Sequence, residues 1–107
     1  MITLDIDTKD RSKMLSTYYK ASKYGETTVA ETGHGFHYRI QSDIEDPWEI
    51  LRIRQLLGDD PKRIERDKIV IQLGCPEIAN RLFERKKVKG KYTVEKPINP
   101  LKWGENE

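Results

Sequence analysis

Two aspartates stand two residues apart near the start of the chain, in Ile2-Thr3-Leu4-Asp5-Ile6-Asp7. Ile2, Leu4 and Ile6 alternate with polar neighbours, which is the period of a strand. The two carboxylates then leave the same face with their Cα atoms roughly 6.5–7 Å apart. Carboxylates at that spacing can converge on one or two hard cations. Mg²⁺ and Mn²⁺ take such oxygen ligands and leave positions for substrate phosphates. The same alternation also fits an ordinary half-exposed strand that terminates on Asp. A second candidate is Thr32-Gly33-His34-Gly35-Phe36-His37. Gly33 and Gly35, on either side of His34, offer backbone that a nucleotide can approach closely, and His37 can contact a phosphate. The alternative is a hairpin turn that uses glycine for a positive φ.

Charge supplies a third feature. Residues 1–80 carry 12 basic and 14 acidic side chains, whereas residues 81–103 carry eight basic and two acidic ones, a local net charge of +6. A patch of that sign can hold a polyanion backbone even in a protein whose overall formal charge is only +2. Arg81, Arg85, Lys86, Lys87, Lys89 and Lys91 are the candidate nucleic-acid contacts. A solvated helix face followed by a basic tail accounts for the same residues. Gly58-Asp59-Asp60-Pro61 reads as a turn, Tyr18, Tyr19, Tyr24 and Tyr38 as core aromatics, and Cys75 as an inert thiol.

These residues need elements to position them. Ile2–Asp7 predicts a strand, and residues from about 10 to 24 a helix capped by Asp10 and closed by Gly25. Thr27–Glu31 and Phe36–Gln41 predict two strands joined through the glycine segment. Asp46 before Pro47 predicts the start of a helix that Gly58 ends. Residues 61–67 read as a short helix, and Lys68–Leu73, with Ile69, Val70 and Ile71, as a strand. Pro76 opens a helix to about Lys87, with Ile78, Leu82 and Phe83 inward. Tyr92–Val94 predicts an edge strand, and Pro97 and Pro100 interrupt the residues after it. The βαββαβ core within this order is that of a single α+β domain of RRM-like or ferredoxin-like type over residues 1–96, mostly antiparallel, with helices on one face of the sheet. Residues 97–107 form a proline-containing C-terminal tail.

A chain of 107 residues has room for one core. One cysteine excludes an internal disulfide and any CxxC metal site. No apolar run approaches the roughly 18–20 residues of a membrane span, and the first residues lack a basic and then an apolar region, so no membrane partner and a cytoplasmic location are predicted. Eleven Ile against eight Leu, with abundant Lys, Glu and Arg, is a thermophile-like composition.

The order of a hydrophobic strand carrying Leu4-Asp5-Ile6-Asp7, a helix, and a strand opening with Thr32-Gly33-His34-Gly35-Phe36-His37-Tyr38 resembles the catalytic core of archaeo-eukaryotic primases and primase-polymerases. The resemblance covers about residues 1–41. It implies that Asp5 and Asp7 bind Mg²⁺ or Mn²⁺, that His37 contacts the incoming nucleotide, and that Gly33, His34 and Gly35 flank it. It also implies a third metal-binding acid later in the sheet, for which Asp67, just before Lys68–Leu73, is the best-placed residue. The implied activity is metal-dependent nucleotidyl transfer in DNA replication, in a minimal version without a zinc motif, or nucleotide binding by a reduced derivative. The implied partners are a nucleotide and single-stranded DNA. A first strand ending in Asp-Ile also resembles, more weakly, the small dimeric CRISPR adaptation proteins, whose pattern does not include the Gly-His-Gly-Phe-His segment. The competing reading is a non-catalytic module that binds single-stranded nucleic acid on the free sheet face. Two aspartates on that face oppose it, because carboxylates repel phosphate unless a cation intervenes.

Overall fold

The structure is a computed structural model that describes residues 1–82, 85–88 and 91–104; for 85–88 and 91–93 it describes the backbone alone. The chain runs β1 (Ile2–Ile6), α1 (Arg11–Ala21), β2 (Glu26–Glu31), β3 (Phe36–Gln41), α2 (Pro47–Leu56), α3 (Pro61–Gln72), a 3₁₀ turn (Pro76–Ile78), β4 (Arg85–Val88), β5 (Lys91–Val94) and β6 (Lys96–Ile98). Four strands form one antiparallel sheet in the order β1-β3-β2-β6, and β4 and β5 pair separately as a hairpin. This is a small α+β fold of the ferredoxin-like or RRM-like kind.

The period-2 pattern sorts the sheet's residues. Leu4, Tyr38, Val29 and Ile98 are register partners across four strands, flanked by Ile2 with Ile40 and Ile6 with Phe36. These side chains form one core with Met14 and Ala21 of α1 and with Ile53 and Leu57 of α2 and its C-terminal cap. Both helices therefore cover the same face. The Tyr38 hydroxyl, buried in that core, finds its partner in the Met14 carbonyl at 2.9 Å. Each helix start is capped by an aspartate: Asp10 accepts from the Ser12 N–H, Asp46 from Trp48 and Asp60 from Lys62. Residues 96–104 belong to the same body. β6 extends the sheet, the Trp103 ring meets Phe36 edge-on at 5.0 Å, and Arg11 donates to the Trp103 and Leu101 carbonyls.

Besides β6, which continues through Pro97 where the sequence reading has an interrupted tail, two elements differ from the sequence expectation. Lys68–Leu73, read as a strand, is the second half of α3. Its β-branched run misleads because Ile64, Asp67 and Ile71 recur at helical spacing and supply the buried stripe, while Ile69 and Leu73 face outward. The helix expected from Pro76 to Lys87 is only one 3₁₀ turn. Asn80 then adopts a left-handed φ of 65°, which a helix cannot continue through, and Arg85–Val88 is a strand. Phe83, expected to point inward, lies outside the described residues.

β1 is an edge strand, yet four of its outward backbone groups have partners. The Thr3 N–H donates to Asn80 Oδ1 at 2.9 Å and the Asp5 N–H to Asp59 Oδ1 at 2.8 Å. The Met1 carbonyl accepts from Asn80 Nδ2 and the Asp5 carbonyl from the Asp60 N–H. Side chains and one loop amide thus stand where a further strand would pair. Behind them lies a buried ionic cluster. Arg54, 1% exposed, donates to Asp59 at 2.8 Å and to Asp67 at 2.7 Å, both carboxylates being fully enclosed. Arg63 bonds Asp59 at 2.7 Å and the Thr3 hydroxyl at 2.8 Å, and the Asn80 N–H donates to Asp67.

Removing one partner of a buried pair leaves an uncompensated charge, so Asp59→Ala should cost about 3–5 kcal/mol in urea unfolding. The solvent-exposed Glu49–Arg52 pair is the control, and Glu49→Ala should leave the urea midpoint nearly unchanged. Equal losses at the two sites would show that the cluster does not hold the edge.

Candidate functional site

The face of the sheet opposite α1 and α2 carries the polar residues of the same strands. Asp5, His37, Ala30 and Pro97 are register partners across it, with Thr3 and Arg39 paired one step along. His37 Nε2 lies 3.6 Å from Asp5 Oδ1. Its other ring nitrogen, Nδ1, makes a short hydrogen bond with Glu95 Oε1, and Arg39 Nη2 donates to that same oxygen at 3.0 Å. The His37 side chain is 10% exposed and that of Asp5 33%, so one side of the array opens to solvent at Asp5. The chemistry available is a carboxylate–imidazole–carboxylate line braced by a guanidinium.

Gly35 explains how β3 comes to sit so close to the end of β1. A Cβ there would lie 1.9 Å from the Ile6 carbonyl oxygen and 2.9 Å from the Thr8 N–H nitrogen, so only glycine allows the approach. The sequence expectation gives this backbone to a nucleotide; the neighbouring strand occupies it. Gly33 and His34 are exposed at the tip of the connection. Thr32 closes that connection, accepting from the Gly35 N–H through its hydroxyl and donating its own N–H to the Gly35 carbonyl. Lys9 pairs with Glu31 at 3.1 Å and also bonds the Thr32 carbonyl.

The structure does not bring all of the predicted residues together. Asp5 and His37 are brought together. Asp7 lies one residue past β1 and is exposed, where Thr8 N–H turns back to the Ile6 carbonyl. Asp67 is not brought to them. It sits in α3 instead of ahead of a sheet strand, and its oxygens are taken by Arg54, Arg66 and the Asn80 N–H, which leaves it no role as a third metal-binding acid. Of the basic residues, Arg81 is exposed and its carbonyl accepts from Arg63. The side chains of Arg85, Lys86, Lys87 and Lys91, and all of Lys89, lie outside the described residues.

Two members of the array were not singled out from the sequence. Arg39 shares the parity of His37 along β3 and could have been found by that alternation. Glu95 is 58 residues from His37 in sequence and joins it only because β6 docks on β2, so no local signal marks it. Among the described residues no three His, Cys, Asp or Glu side chains form a ready metal cage. The donor chemistry nevertheless fits Mg²⁺ or Mn²⁺ brought in with a phosphate, since those ions commonly use one or two protein carboxylates and complete their shell with water and substrate oxygens. Comparison with known proteins gives no match: no family model, no curated protein and no solved structure resembles the chain closely enough to assign it.

Burial alone would lower the His37 pKa, but the hydrogen bonds and charges of Asp5 and Glu95 outweigh it and raise it above its ordinary 6.5. Burial would raise Glu95, and the bonds from Arg39 and His37 reverse that and lower it below 4.5. A raised histidine contributes stability that is complete below its unfolded pKa and is lost as pH climbs through the folded one. A lowered carboxylate contributes above its unfolded pKa and is lost as pH falls through the folded one. The stability difference between wild type and His37→Asn should therefore be greatest between pH 4.5 and 6.5 and shrink as pH rises beyond. Urea titrations across that range check it; a difference that grows above neutrality would contradict the pairing.

Proposed function

We propose that the chain is a reduced, primase-polymerase-like domain that binds a nucleoside triphosphate through a divalent cation. In this reading Asp5 and Asp7 supply carboxylate oxygens to Mg²⁺ or Mn²⁺, and His37, held by Glu95 and Arg39, faces the phosphates. The cation neutralises the triphosphate, which two aspartates would otherwise repel. The observation that supports the reading is Asp5 directly opposite His37 on the face away from α1 and α2, with Oδ1 and Nε2 3.6 Å apart. One residue from each motif, Asp5 and His37, thus shares a register row. The basic segment from Arg81 to Lys91 is assigned to single-stranded DNA, and the metal-dependent nucleotidyl transfer of full-length relatives of such cores is the activity to seek.

Thermal melts test this. Mn²⁺ with a deoxynucleoside triphosphate should raise the Tm of the wild type by mass action, about 2.7 kcal/mol of stabilisation at a hundredfold excess over Kd. Asp5→Asn and Asp7→Asn should each remove the rise. An unchanged Tm in the wild type, or a full rise in Asp5→Asn, would overturn the site. Tight single-stranded DNA binding without any divalent ion would instead favour the non-catalytic binding module.

A further inference from the structure

The outer face of α1 carries a charge pattern that the Asp5–His37 row does not use. Residues 11–25 hold Arg11, Lys13, Lys20 and Lys23 and no acid, in a chain with 18 Asp and Glu. Asp10 and Glu26 bound the stretch, and the Asp10 carboxylate is committed to the Ser12 N–H. Met14, Thr17 and Ala21 are the buried side of the helix. At about 100° per residue, Lys13, Ser16, Tyr19 and Lys20 share an arc of about 120° on the other side. All four are exposed, as is Lys23 in the turn after the cap residue Ser22. Ion pairing sets α1 apart from the other helices. On α2 and α3, Arg52 and Lys68 each meet a glutamate three residues away. Lys13, Lys20 and Lys23 have no ion-pair partner among the described residues, and α1 has no acid to offer one. Lys13 even stands in the first turn, where the helix dipole favours acids and none is present. Folding alone does not select this pattern. Tyr19, read from the sequence as a core aromatic, is 58% exposed. Its ring is braced by that of Tyr18 at 5.7 Å between centroids and 59° between planes, and Tyr18 packs on the core.

We infer that the outer face of α1 binds single-stranded nucleic acid, with Lys13, Lys20 and Lys23 on its phosphates and Tyr19 stacked on one of its bases. Unpaired ammonium groups along one helix face are complementary to a phosphate backbone. The exposed, braced ring beside them selects a strand whose bases are unstacked, because any base offers it a π-face. A duplex keeps its bases stacked and gives Tyr19 no partner. An anionic membrane would take the apolar side of an amphipathic helix, and that side of α1 is buried in the core. This face lies across the sheet from Asp5 and His37, so the inference goes beyond the metal–nucleotide reading and does not rest on it.

Fluorescence anisotropy of a labelled thymidine oligonucleotide, titrated with the full chain in Mg²⁺ buffer, tests this. Tyr19→Ala should weaken binding about tenfold, and Tyr19→Phe, which keeps a ring, should bind as the wild type does. Lys13→Gln and Lys20→Gln should each flatten the dependence of log Kd on log salt by about 0.7. Lys68→Gln, whose lysine already has a carboxylate partner, should leave that slope unchanged. Asp5→Asn should bind the oligonucleotide like the wild type, so failure of the metal site and failure of this face are read separately. The changes on α1 are at exposed positions, and an unchanged Tm checks the fold; if Tyr19→Ala unfolds, the salt slopes still decide. No binding at any salt, an affinity unchanged in Tyr19→Ala, or a salt slope unchanged in both α1 lysine variants would each overturn the inference. So would a duplex of the same sequence held as tightly as the single strand, or binding to phosphatidylserine vesicles in place of the oligonucleotide.

Discussion

Arg54 is the side chain on which the sheet's first strand depends. It joins Asp59 and Asp67 inside the protein, and Asp59 in turn accepts the Asp5 N–H and holds Arg63 against Thr3. Removing any partner from a buried charge is costly, so the cluster behaves as one unit: each carboxylate is fixed by two or more donors. Its outward product is a rigid row of acceptors and donors along β1. An edge strand left open would be a template for foreign strands; here the α2–α3 connection and Asn80 occupy it.

The consequence for the site is positional. β1 is gripped from both sides, by the β3 ladder and by the ionic cluster, and Asp5 is the residue where the two grips meet. Its backbone is set by Asp59 and Asp60, and its carboxylate by strand parity faces His37. His37 is fixed independently through Glu95 and Arg39. Gly35 completes the arrangement by letting the start of β3 touch the end of β1. A carboxylate and an imidazole are thus held in one geometry, the preorganisation that the proposed phosphate–cation ligand would need.

Much of this was legible in the residues. The alternation in Ile2–Asp7 and Phe36–Gln41 placed Asp5 and His37 on one face, and the Asp-Pro starts marked helices that exist. What was not legible came from competition between local and tertiary signals. Lys68–Leu73 has β-branched side chains, but its burial follows the helical stripe Ile64–Asp67–Ile71, and Asp67 reads as a candidate metal-binding acid until Arg54 is seen across from it. Asp59 reads as a turn residue because a turn is its local role; its work on β1 is visible only in three dimensions. Glu95 belongs to the same class, brought to His37 by a strand whose proline argues locally against pairing. Pro97 is tolerated because β6 is an edge strand.

Native-state hydrogen exchange at Thr3 and Asp5 tests the central claim most directly. Both amides point away from β3 and donate to side chains, Asn80 and Asp59. If the ionic cluster holds the edge, they exchange only with global unfolding, as slowly as the amides that β1 commits to β3. Exchange of Thr3 and Asp5 at the rate of an open sheet edge, while the inner amides of β1 stay protected, would contradict the account.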